Sequence, residues 1–150
     1  MDSIDNKIVD FLMRNGRATW SELGNLTGLS APAVAERVRR LEETGIITGY
    51  GAITNPEKLG FGISAIISVS ITHPSNREPF IQKVRELACI QECYHVAGDE
   101  DYLLKVRVRD IRELEYLVSD IIKDLPGIMQ TRTKIIMSVL KESIVLPIYK

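Results

Sequence analysis

Three arginines fall within four residues, Arg37, Arg39 and Arg40, just after the small side chains of Ser30, Pro32 and Ala33, with Glu36 among them. Guanidinium groups so placed can grip phosphates or take both acceptors on the edge of a guanine. Other chemistry has weaker support. Cys89, Cys93 and His95 could suggest a metal centre, but no fourth ligand is signalled and tetrahedral zinc motifs usually come as two spaced pairs, so no metal is expected. Gly49-x-Gly51 lacks the third glycine of a dinucleotide loop, and neither a phosphate loop nor a nucleophile elbow is present. No catalytic residue and no cofactor is therefore expected.

The arginines need a helix to present them. Ile4, Ile8, Phe11 and Leu12 recur at helical spacing behind Asp2 or Ser3, either of which can cap a first helix that ends at Asn15-Gly16. Thr19 and Glu22 have capping-box spacing for a second helix over about 20–27. Gly24 inside it is costly unless another backbone passes close, and Trp20 reads as a packing residue. Gly28 can stop that helix, and Ser30 can cap a third with Pro32 in its first turn. In the third helix Val34, Val38 and Leu41 form the inward stripe. Pro32, Ala33, Glu36, Arg37 and Arg40 project the other way, with Arg39 on the flank. That is the layout of a helix-turn-helix reading a DNA groove. A solvated face on which arginines pair with neighbouring glutamates fits the same spacing, and spacing alone leaves both open.

From Gly62 the period changes to two. Ile63, Ala65, Ile67, Val69 and Ile71 alternate with Ser64, Ile66, Ser68, Ser70 and Thr72, which predicts a strand. A helix over about 76–87, strands over 90–97 and 101–109 joined at Gly98-Asp99, a helix capped by Asp110, and a strand from about 128 complete the order βαββαβ. This is the ferredoxin-like arrangement, so the fold class is α+β. Two helices cover one face of such a sheet. The other, with Ser64, Ser68, Ser70, Lys105, Arg107, Gln130, Arg132 and Lys134 among Ile66, Leu103, Ile128 and Ile136, suits self-association.

Global charge carries little of this. The 150 residues have a net charge of -1, with 7 Lys+Arg against 8 Asp+Glu up to Gly60 and 12 against 12 after it, so a nucleic-acid role must rest on local placement. The longest apolar run, 61–71, is broken by serines and too short to span a bilayer, and the first residues lack the pattern of a signal segment, so no membrane partner and a cytoplasmic location are expected. Two cysteines four apart do not make a disulfide framework.

The stretch "ELGNLTGLSAPAVAERVRRLEETGIITGYGAITNPEKLGF", with "VAGDEDYLLKVRVRD" and "KESIVLPI" beyond it, resembles the Lrp/AsnC, or feast/famine, family of transcriptional regulators over nearly the whole chain. The resemblance implies a winged helix-turn-helix over 1–48, a linker strand over 49–60, and an effector-sensing and oligomerisation domain (RAM-type) over 61–150. It implies contacts to double-stranded DNA from Ser30, Pro32, Ala33, Arg37 and Arg40, to which Glu36 and Arg39 of the same surface are added. It also implies a homodimer, with closure into an octamer left open. In the family the glycine-aspartate turn lies where small effectors, often amino acids, bind; here it reads Gly98, Asp99, Glu100, Asp101 and Tyr102. Three adjacent acids would favour a basic or neutral effector over an acidic one, if they do not simply form a solvated turn. Haem-pathway decarboxylases of the sirohaem type resemble the same two-domain architecture and form the enzymatic alternative.

Overall fold

The computed structural model describes residues 1–148 and divides the chain into two compact units, Met1–Ile53 together with the segment from Lys141, and Thr54–Leu140. No helix among the described residues is long and apolar enough to cross a membrane.

The first unit holds α1 (Ser3–Arg14), α2 (Trp20–Thr27) and α3 (Ala31–Glu43). Ile8, Leu12, Leu23, Val34, Val38 and Leu41 form its core. Asp2 is the cap of α1, and a capping box closes there, with the Asp5 amide donating to Asp2 at 2.8 Å and the Asp2 amide donating to Asp5 at 3.0 Å. The Thr19–Glu22 box on α2 forms as expected, and Gly28 ends the helix at φ 76°. Ser30 occupies the cap position of α3, but its hydroxyl makes no capping bond. Trp20, expected to pack, is 43% exposed. Gly24 has the tight approach its position requires, since a Cβ there would lie 2.7 Å from the carbonyl oxygen of Leu29 in the turn.

An ion pair fixes α3 on α1. The Arg37 guanidinium donates to Asp2 at 2.6 Å and to Asp5 at 2.7 Å, and Arg40 lies 3.5 Å from the other Asp5 oxygen. The Asp5 side chain is only 5% exposed. Burial pushes its carboxyl up, but the Asp2 amide and the Arg37 guanidinium outweigh burial, so it titrates below the usual carboxylate range. The Asp2 carboxyl is also lowered, by the Asp5 amide first and Arg37 second.

The linker strand expected over 49–60 is absent. The chain there is irregular up to a 3-10 turn at Glu57–Leu59, and no strand forms where a wing would follow α3. A strand needs a ladder partner, and residues 49–60 pair with none of the four strands of the sheet. Tyr50 instead donates its hydroxyl to Glu42 of α3 at 2.8 Å; burial and then that carboxylate push the phenol up to about 12. The segment from Lys141, assigned to the second domain by sequence, belongs to the first unit, where the Leu146 amide meets the Met13 sulfur at 3.4 Å.

The second unit is the expected βαββαβ: β1 (Ile63–Ile71), α4 (Arg77–Glu86), β2 (Ile90–His95), β3 (Tyr102–Val108), α5 (Ile111–Tyr116, continued by a π-helical turn Leu117–Ile122) and β4 (Ile128–Ile135). The sheet order is β2-β3-β1-β4, antiparallel throughout. Ala65, Ile67, Val69, Tyr102, Leu104, Val106 and Val108 pack with Phe80, Val84, Leu114, Leu117 and Ile122. Ile66, Ser68 and Ser70 share the opposite face with Lys105, Gln130, Arg132 and Lys134, in register as expected. Ile128 does not join them: a bulge after Ser70 sets it opposite Ile71, against the core.

Two outcomes follow. Gly24→Ala should lower the unfolding free energy by about 1–3 kcal/mol despite alanine's better helix propensity, because the Leu29 backbone cannot give way cheaply; an unchanged midpoint in urea would show that the turn relaxes. Arg37→Ala should also lower stability. Because Asp2 and Asp5 titrate below their unfolded values, the pair's contribution is complete above about pH 4 and is lost as pH falls through the folded values. Urea midpoints taken across the acid range should fall less steeply with pH in the variant than in the parent, and parallel slopes would dissociate Arg37 from these carboxylates.

Candidate nucleic-acid interface and effector turn

With Arg37 held by α1, the solvent side of α3 differs from the surface anticipated. Ser30, Pro32, Glu36, Arg39 and Arg40 are exposed, Ala33 is half-buried, and Arg37 is only 24% exposed and turned to Asp2 and Asp5. Arg37 thus positions the helix through Asp2 and Asp5. Arg39 donates to Glu36 at 2.7 Å and to Glu43 at 3.1 Å, with all three side chains more than half exposed. Those carboxylates raise the Arg39 guanidinium's pKa, Glu36 foremost, yet exposed pairs of this kind contribute little and exchange readily for a phosphate. Arg40 is 57% exposed at 3.5 Å from Asp5, a weak hold that leaves its guanidinium able to reach outward.

The turn brings further polar groups beside this surface. Ser21 and Asn25 of α2 line a shallow cleft with Gly28, Leu29 and Ala31. Sequence reading passed over both, although their i, i+4 spacing on the exposed side of α2 was available as a signal. It also passed over Asp5, whose three-residue offset from Asp2 is that of a capping box.

The glycine-aspartate turn sits between β2 and β3. Gly98 and Asp99 are exposed, Glu100 and Asp101 half-buried, and Tyr102 is 3% exposed as the first residue of β3. The three acids are not equivalent. Asp101 accepts from the Ile71 amide at 2.7 Å and its own amide donates to the Val69 carbonyl at 3.0 Å, which fastens the turn to β1. Glu100 lies 3.7 Å from Arg132 of β4, so its charge is compensated within the chain. Asp99 has no partner among the described residues. Of the three acids, Glu100 alone has a cation beside it, Asp101 is held by a neutral amide, and Asp99 is exposed.

No group of three or more His, Cys, Asp or Glu able to hold a metal occurs among the described residues. Burial pushes both the Cys89 and Cys93 thiols up, Cys89 being opposed by backbone amides, and neither is a poised nucleophile.

Comparison with known proteins accords with this geometry. Residues 1–42 match the AsnC-type helix-turn-helix domain family, and residues 64–146 match the Lrp/AsnC ligand binding domain family. The leucine-responsive regulatory protein of Haemophilus influenzae is 40% identical over 145 residues, 95% of this chain and 87% of that protein. That of Escherichia coli strain K12 is 39% identical, over 95% of this chain and 88% of its own. A crystal structure of a transcriptional regulator from Neisseria meningitidis in complex with L-methionine superposes with a TM-score of 0.94 at 31% identity, covering 98% of this chain and 96% of that one. The feast or famine regulatory protein of M. tuberculosis, also complexed with L-methionine, gives 0.87 at 39% identity over 94% and 95%. The chain belongs to the Lrp/AsnC family of DNA-binding transcriptional regulators.

Proposed function

We propose that this regulator reads DNA through Ser30, Pro32, Ala33, Glu36, Arg37, Arg39 and Arg40, with Arg37 acting chiefly through the placement of α3, and that Gly98, Asp99, Glu100, Asp101 and Tyr102 form part of an amino-acid effector site. The observation that carries the DNA reading is the helix-turn-helix core of Leu23, Val34, Val38 and Leu41, which turns Pro32, Glu36, Arg39 and Arg40 outward together. Small residues at the amino end of α3 permit close approach, Arg40 and Arg39 supply groups for guanine edges or phosphates, and Glu36 can accept from a cytosine amino group. The methionine complexes of the two relatives support an amino acid as effector.

The working form is a cytoplasmic homodimer without catalytic activity. One recognition helix in a chain of net charge -1 binds weakly, whereas two copies engage half-sites about 34–36 Å apart, one helical turn. The face of β1, β3 and β4 turned away from the helices, where Ile66 and Leu103 lie among Lys105, Arg132 and Lys134, supports self-association. The decarboxylase alternative has no observation in its favour.

In gel shifts with the region upstream of its own coding sequence, Arg40→Ala and Arg39→Ala should each weaken binding about tenfold or more at fixed salt, with the fold intact by circular dichroism. Binding by the parent protein should fall steeply as salt rises, since phosphate contacts release counterions. Unaltered affinity in both variants would remove α3 as the reading element, and a monomer by light scattering at micromolar concentration would remove the dimer.

A further inference from the structure

Resting on the DNA reading above, we infer that Asp5, with Asp2 beside it, determines specificity by restraint: it holds Arg40 back from arbitrary phosphates, so that only DNA whose bases seat α3 draws the guanidinium onto the backbone. Two carboxylates of α1 face two guanidinium groups of α3 in one cluster. The four formal charges cancel, which leaves that part of the α3 surface with no net pull on a phosphate chain. Asp5 is the member that cannot move. Its side chain is 5% exposed, and the Asp2 amide at 3.0 Å and Arg37 at 2.7 Å fix one oxygen each. The glutamates beside Arg39 are 64% and 58% exposed, so solvent screens them and they swing aside for a phosphate. A buried carboxylate does neither.

The hold on Arg40 is graded for release. At 3.5 Å it is a long ion pair, and the side chain is 57% exposed. When Arg40 leaves, Asp5 keeps the Asp2 amide and Arg37, so no buried charge is stranded. Arg37 is different: it is 24% exposed and holds the two carboxylates at 2.6 and 2.7 Å, and its departure would strand Asp5. A phosphate therefore competes with Asp5 for Arg40 alone. A duplex that meets α3 in a random register has no base contacts to keep a phosphate at that point, and the carboxylate retains the guanidinium. A duplex seated by base contacts fixes a phosphate within reach of Arg40, where its high effective concentration tips the exchange. Restraint of this kind lowers affinity for arbitrary sequence more than affinity for the operator, which is specificity built against the wrong partner.

The test is a titration of the full chain against two labelled duplexes, the region upstream of its own coding sequence and a shuffled version of equal length and composition, across a salt series. Asp5→Asn keeps the shape of the side chain and removes its charge. It should bind the shuffled duplex about two- to fivefold more tightly at low salt, with the slope of log affinity against log salt steeper by about 0.9 for each protomer engaged, while the preference for the upstream region falls. A carboxylate serving the fold alone would give the opposite sign, since a loosened domain binds both duplexes less well. Adding Arg40→Gln to Asp5→Asn should abolish the gain, which assigns it to that guanidinium. Asp10→Asn, which removes the same charge from the Arg14 pair on the same helix, should leave both slopes as in the parent. Should circular dichroism show Asp5→Asn unfolded, Asp2→Asn decides, because asparagine caps a helix as well as aspartate does; it should shift binding of the shuffled duplex the same way. Unchanged or weaker binding of the shuffled duplex by the folded variants, or a gain that survives Arg40→Gln, would overturn the restraint while the DNA reading stands. A parent protein that prefers neither duplex would overturn both.

Discussion

A buried carboxylate on the first helix governs the DNA-binding unit. Asp5 loses most of its hydration, and an ionised acid in that position must be answered by donors of good geometry. The answer comes from the Asp2 amide along the chain and from Arg37 across the core, so the pair fixes the approach of α3 to α1 as well as neutralising a charge. It also divides three arginines that look alike in sequence. Arg37 is spent inside the unit, Arg39 is shared among exposed glutamates that compete weakly, and Arg40 keeps a loose hold on Asp5. The cost of burial thus determines which guanidinium groups are left for an external partner.

In the second unit the comparable constraint is the central position of β1. It pairs with β3 on one side and β4 on the other, so its alternation decides what every neighbouring strand presents to the helices. The same strand holds the effector turn, through Val69 and Ile71, to the two ends of Asp101. A turn fastened in this way is a rigid platform, with Asp99 left exposed at its tip and Glu100 held toward Arg132. Rigidity of this kind lowers the ordering cost of any binding at the turn.

The two units share a design in which polar groups near functional surfaces are already committed. The two relatives solved in complex with L-methionine hold a ligand whose side chain carries no charge. Selectivity by charge repulsion requires uncompensated carboxylates, and here only Glu100 has a cation beside it.

Sequence determined whatever depends on neighbours along the chain. The 3.6 period of Val34, Val38 and Leu41, the Thr19–Glu22 cap, the stop at Gly28 and the alternation of β1 are local patterns, and each element formed where those patterns placed it. The βαββαβ order followed from the same signals. Tertiary structure decided whatever depends on residues far apart. Arg37 and Asp5 are separated by 32 positions, so no spacing rule shows that a basic residue on an outward stripe will turn back to a buried acid. The bulge that moves Ile128 to the core side and the engagement of Asp101 with β1 likewise require the strands to be assembled. Periodicity fixes which side of an element a residue occupies, while only packing fixes what waits there, because the energy of a buried charge is set by the groups that folding brings beside it.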